Sequence, residues 1–111
     1  MDKKETGSLT VKADFSFPES EIVINPNDGF DLGFMMTDAQ ALFYYTDDPK
    51  NVERGGIRPI EGTVVQKNEC APGTVEISLK AVEKLGTPKK VKLHLLPRER
   101  QPYLVIVPDG A

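Results

Sequence analysis

Lys90-Val91-Lys92-Leu93-His94-Leu95-Leu96-Pro97-Arg98-Glu99-Arg100-Gln101-Pro102-Tyr103-Leu104-Val105-Ile106-Val107-Pro108 is the stretch on which the fold turns. In its first half Val91, Leu93 and Leu95 alternate with Lys92, His94 and Leu96, the period of a half-buried strand. Pro97 to Pro102 is a charged connection, and Tyr103 to Val107 returns with apolar side chains on both faces before Pro108 ends it. The two arms read as a hairpin. A strand that is apolar on both faces lies at the centre of a sheet or in an interface. Tyr103, Val105 and Val107 are therefore candidate interface residues, through which the chain would self-associate or meet another protein.

Working back from the hairpin, Ser78 is a cap, Leu79, Val82 and Leu85 share a helix face with Ala81, and Gly86-Thr87-Pro88 is a stop signal. These residues predict one two-turn helix, over about 78–85. Val75-Glu76-Ile77 and Thr63 to Lys67 are expected strands, separated by a turn from Asn68 to Gly73. Near the N-terminus Leu9, Val11, Ala13, Phe15 and Phe17 alternate with polar residues, while residues 1–8 read as a flexible polar tail ahead of a single β-rich domain over 9–108. Ile22-Val23-Ile24 runs into Asn25-Pro26-Asn27-Asp28-Gly29, all turn formers, which predicts a hairpin returning through Phe30, Leu32, Phe34 and Met36 with a bulge at Gly33. Thr37-Asp38 either caps a short helix or turns into a strand over Leu42 to Tyr45; the aromatic content favours the strand. Thr46 to Glu61 reads as a long polar loop, and no internal repeat stands out. The expected fold is mainly β (α+β): an antiparallel β-sandwich or small barrel of seven or eight strands with one short helix.

At 111 residues and 12.3 kDa the chain has the size of one domain, and its 39% apolar content is that of a globular protein. A single cysteine, Cys70, excludes an internal disulfide. The polar start lacks the apolar stretch of a secretory leader, and no apolar run approaches the ~20 residues of a membrane span. A cytoplasmic protein with no membrane partner is expected. The net charge of −3 hides an asymmetry: residues 1–70 carry 7 Lys/Arg against 13 Asp/Glu, whereas residues 71–111 carry 7 against 4. Such halves complement each other within one molecule, or between copies placed head to tail.

The chemistry-bearing residues are sparse. His94 is the only histidine, and Cys70 lacks the partners of a tetrahedral metal site or an activated nucleophile. Asn25, Asn27, Asp28 and Asp31 crowd one turn but miss the ligand spacing of a calcium loop, so neither a metal nor a cofactor is expected. In the long loop, Asp47 and Asp48 precede Arg54, Gly55, Gly56 and Arg58; two glycines between two arginines could turn backbone amides toward an anion, which makes this loop a candidate binding segment. Lys89, Lys90, Lys92, Arg98 and Arg100 form the densest basic set, split between the two ends of the hairpin.

The order strand, short helix ending in Leu85-Gly86, strand, turn, strand over residues 73–108, from Gly73-Thr74-Val75-Glu76-Ile77 to Tyr103-Leu104-Val105-Ile106-Val107-Pro108, resembles the swapped-hairpin DNA-binding domain of AbrB-type regulators. The resemblance implies a nucleic-acid partner met through the basic set. The same order also suits one βαββ unit of another small barrel or of a sliding-clamp-like half domain. With no triad, metal cluster or phosphate loop in the sequence, the expected function is a non-catalytic binding or assembly module, possible as a homo-oligomer, with a nucleic-acid-associated domain as the alternative.

Overall fold

Each alternating segment has one apolar face that must leave water, and closing a sheet on itself hides all of those faces at once. The computed structural model describes residues 4–34, 38–48, 50–55 and 57–109. Its elements are β1 (Lys4–Glu5), β2 (Leu9–Asp14), β3 (Glu21–Ile24), α1 (Pro26–Asp31), β4 (Asp38–Tyr45), α2 (Lys50–Arg54), β5 (Ile60–Gln66), β6 (Thr74–Ser78), α3 (Leu79–Lys84), β7 (Lys90–Leu96) and β8 (Tyr103–Pro108). Seven strands close in the order β7-β2-β6-β3-β5-β4-β8, with β8 pairing back onto β7. The fold is thus a small mainly β barrel, with the β7–β8 hairpin and α3 where the sequence places them. The hydroxyl of Ser78 accepts from the Lys80 amide at 3.2 Å and caps α3.

Inward side chains from every barrel strand form one core, among them Leu9, Ile22, Ile24, Phe43, Val64, Ile77, Leu93 and Ile106, and Leu32, Ala81 and Val82 join it from the helices. Phe43 is the largest fully buried side chain. Its ring lies over Gly62 on the neighbouring strand, where a Cβ would stand only 2.5–2.8 Å from the ring carbons.

Several expectations are corrected. The barrel is mainly antiparallel, with four antiparallel pairings, but three are parallel (β2–β6, β3–β5 and β4–β8), which the sequence reading did not foresee. The segment after Ile24 is not the return arm of a hairpin but the helix α1. Asn25 caps it by accepting from the Asn27 amide at 2.8 Å, and Pro26 occupies the first turn. The residue types that favour turns also start helices, and here the cap prevails. Gly33, at φ 80°, ends the helix in the left-handed region and is not a strand bulge; Met36 lies outside the described residues. The Thr46–Glu61 segment contains a second helix, α2, so the described residues include three short helices where one is expected.

The N-terminal segment is not a free tail over its described part. β1 pairs with β7 through Lys4↔Leu95 and Glu5↔His94, on the edge that β2 continues through Leu9↔Val91 and Thr10↔Lys90. Six steps from Lys4 to Thr10 oppose five from Leu95 to Lys90, so one bulge separates β1 from β2. Buried Thr6 bridges the gap: its amide donates to the Leu93 carbonyl at 3.0 Å and its hydroxyl accepts from the Leu93 amide at 3.1 Å. A two-residue polar strand carries no alternation signal.

The topology also contains a repeat. Adding 53 to each residue of β2 and β3 gives β5 and β6: Thr10↔Thr74 becomes Thr63↔Glu21, and Ala13↔Ile77 becomes Gln66↔Ile24. The pair Val23↔Glu76 maps onto itself, which marks an approximate two-fold axis between β3 and β6. The cap at Asn25 matches that at Ser78, and the amide-to-carbonyl bond from Phe34 to Gly29 matches that from Thr87 to Val82. β8 stands outside the repeat and fills the gap between β4 and β7.

Gly62→Ala should force the Phe43 ring from its position and cost about 1–3 kcal/mol, the usual penalty of overpacking. Combined with Phe43→Leu the losses should be less than additive, because the smaller side chain vacates the space. Denaturant melts of the four proteins decide it; parent-like stability of Gly62→Ala refutes the close contact.

Candidate functional site

In the Thr46–Arg58 segment the carboxylates serve the local backbone. Asp48 accepts from the Lys50 amide at 2.9 Å and starts α2, and Asp47 receives a long bond from Asn51 at 3.4 Å. Buried Thr46 holds the turn, since its hydroxyl accepts from the Asp48 amide and from Asn51, each at 3.2 Å. Arg54, Gly55 and Arg58 are exposed, Gly55 has φ 79°, and Gly56 lies outside the described residues. Nothing among the described residues joins Arg54 to Arg58 in an anion cradle. Asp47 instead lines a cleft of about 470 Å³ with Tyr45, Asn51 and Lys84.

The basic set is divided, as hairpin pairing requires. Lys89 and Lys90 stand where β7 begins, and Arg98 and Arg100 are on the turn beyond Leu96, roughly 20 Å away at ~3.3 Å per residue. Lys92 is half-buried between them.

The turn residues build a groove. Arg98 donates to the Pro97 carbonyl at 2.8 Å, reaches Glu53 of α2 at 3.7 Å, and lays its guanidinium 4.7 Å above the centre of the Tyr103 ring. That ring leans on Tyr44, centroid to centroid 5.0 Å. Burial pushes the Tyr44 hydroxyl above its usual pKa, with neighbouring Tyr103 adding to the rise. The Leu42 amide donates to the Pro102 carbonyl at 3.0 Å and fixes the turn against β4. Leu42, Glu61, Arg98, Glu99, Arg100, Gln101 and Tyr103 line an open space of about 660 Å³. Arg98 and Arg100 of the basic set thus meet Tyr103 of the expected interface. Leu42, Glu61 and Gln101 escaped the sequence reading, since the parallel Leu42↔Tyr103 pairing joins strands far apart in the chain.

The interface expectation for β8 needs correction at Val105. This residue points outward but is fully buried within the chain, flanked by Tyr44 on β4 and His94 on β7. Its second face needs no other protomer; Tyr103 and Val107 stay partly exposed. His94 on the same outer face is covered too, with Nδ1 3.1 Å from the Glu5 carboxylate that β1 brings alongside.

The polar cluster at α1 ties the structure together. Asn25 donates to the Cys70 carbonyl at 2.7 Å, and Asp28 accepts from the Gly73 amide at 3.0 Å. These bonds hold the 67–73 loop over Cys70, which is 2% exposed. Burial pushes the thiol up to about 11, and Glu76 and Asp28 add to the rise. The neutral thiol is a poor nucleophile. A folded-state pKa raised from 9.0 leaves stability unaffected by this group below pH 9 and lowers it as pH climbs toward 11, because the unfolded thiol ionises first. Denaturation midpoints should therefore fall more steeply between pH 9 and 11 for the parent than for Cys70→Ala; equal slopes overturn this account.

Among the described residues no group of three or more His, Cys, Asp or Glu side chains is placed to hold a metal ion, and no helix is long and apolar enough to cross a membrane. No family model matches the chain, and no curated protein and no solved structure matches it either.

Proposed function

We propose that this protein is a non-catalytic binding module whose contact site is the groove at the β7–β8 turn, and that the groove takes a short acidic polypeptide segment bearing an aromatic side chain. The observation that carries this reading is the placement of Arg98. Anchored by the Pro97 carbonyl and Glu53, it forms with Tyr103 a pre-assembled face of cation and ring beside Leu42. Such a face stacks an aromatic side chain and pairs a carboxylate without first having to order itself. The volume falls in the ~300–1,000 Å³ range of ligand sites. His94, paired with Glu5, and buried Cys70 are not among the groove's lining residues.

The nucleic-acid reading that the swapped-hairpin resemblance implies has less support. Lys89 and Lys90 stand at the far end of the hairpin from Arg98 and Arg100, so the basic set forms no continuous run along it. A phosphate backbone calls for a continuous positive stripe.

Short synthetic peptides that place a phenylalanine among acidic, neutral or basic neighbours test the proposal by amide-shift titration. The acidic peptide should move the amides of Leu42, Gln101 and Tyr103, and Arg100→Glu should weaken its binding about tenfold or more, since one charge-assisted contact is worth ~1.5–3 kcal/mol. Equal binding of all three peptides, or binding of a duplex DNA at moderate salt with no response to the peptides, refutes it.

A further inference from the structure

We propose that the segment taken up by the groove enters as an added β-strand: its main chain pairs with the open edge of β4 at Gln40, and its aromatic side chain lies beside Tyr103. The inference rests on the groove being a binding site for a polypeptide segment.

β4 is longer than the strand that covers it. Residues 38–43 pair with β5, but on the other side β8 pairs only with Leu42 to Tyr45. That parallel ladder stops at Leu42↔Tyr103, and the bond from the Leu42 amide to the Pro102 carbonyl is its last. In a strand the backbone groups of alternate residues turn to the same neighbour, so those of Gln40 point to the side on which Leu42 and Tyr44 meet β8. One step further along such a ladder, the Gln40 carbonyl would accept from the amide of residue 102. That residue is proline and has no N–H to give. The chain before it bends away over residues 99–101. β5 does not serve Gln40 either, because Thr63, which stands opposite, turns its amide the other way, to the Ser20 carbonyl at 2.8 Å. Among the described residues the amide and carbonyl of Gln40 therefore have no backbone partner, and Gln40 and Asp38 are exposed.

The edge opens onto the groove. Alternation along β4 sends Ala41 and Phe43 into the core and leaves Gln40 and Leu42 on the outer side, where Leu42, Glu61 and Tyr103 line the groove. In an added strand the residue opposite Gln40 carries its side chain on that same outer face. It stands two residues along from Tyr103, ~7 Å at ~3.3 Å per residue, within reach of an aromatic ring. One extended segment thus meets the β4 edge with its main chain and the Arg98–Tyr103 face with its ring.

The unpaired backbone groups select the class of partner. A donor and an acceptor on a strand edge are matched by another main chain, which offers the same alternation, whereas a phosphate backbone has no N–H to give. Pairing of this kind does not depend on the charges of the groove, where Glu61 and Glu99 stand with Arg98 and Arg100. Main-chain bonds supply affinity, and the groove reads the side chains that point into it.

The acidic phenylalanine peptide, added to the intact protein, tests this. It should slow hydrogen exchange at the Gln40 amide. In a series methylated at one backbone nitrogen at a time, methylation at every second position facing β4 should weaken binding roughly two- to tenfold by removing one hydrogen bond, and methylation at the positions between should leave it unchanged. If the peptide shifts the amides of Leu42, Gln101 and Tyr103 while exchange at Gln40 stays the same or the methylation losses do not alternate, the inference fails and the binding reading stands. If the peptide does not bind, both fall.

Discussion

The barrel exists because one strand fits between two others that would otherwise stand open. β8 pairs in parallel with β4 and antiparallel with β7, and those two ladders turn an open sheet into a closed one. Leu104 and Ile106 reach the core from this strand, while Val105 on its outer side is sealed between Tyr44 and His94. A strand that must be apolar on one face to fill the barrel, and on the other to sit between an aromatic residue and a covered histidine, has little freedom in composition. The same closure sets the groove, because the turn into β8 brings Arg98 over Tyr103 and Pro102 against Leu42.

Around that closure the rest of the molecule is built twice. Two strands and a short helix recur at a constant offset in pairing, and the two copies meet at Val23↔Glu76. Equivalent positions have taken different work. Asp28, buried at α1, receives the Gly73 amide, while its counterpart Ala81 on α3 packs into the core. Asn25 and Ser78 both cap, yet only Asn25 also reaches across to the Cys70 carbonyl. One end of the barrel is thereby held by polar bonds to a loop, and the other presents the turn with Phe15.

That difference places unlike surfaces at opposite ends. The turn at Asp14 carries an exposed ring, Phe15; the turn after Leu96 lays Arg98 over a ring already stacked on Tyr44.

What the sequence by itself determined was local and periodic. Alternation at Val91, Leu93 and Leu95 and the doubly apolar run to Val107 were enough for the hairpin, and Ser78 with Gly86 bounded α3, because strand period and helix caps act within a few residues. Only the tertiary structure decided the parallel pairings, the place of β1, and α1 in place of a hairpin arm. Asn25-Pro26 serves a turn or a helix start equally well, and Lys4–Glu5 forms a strand only because β7 offers an edge. The repeat escaped the sequence because its two copies share pairing register and few side chains. The groove was half legible: Arg98, Arg100 and Tyr103 stood out by type, but Leu42, Glu61 and Gln101 join them only through contacts that no local pattern encodes. Val105 was read correctly as needing cover on a second face, and the chain supplies that cover itself through Tyr44 and His94, which strand closure brings from either side.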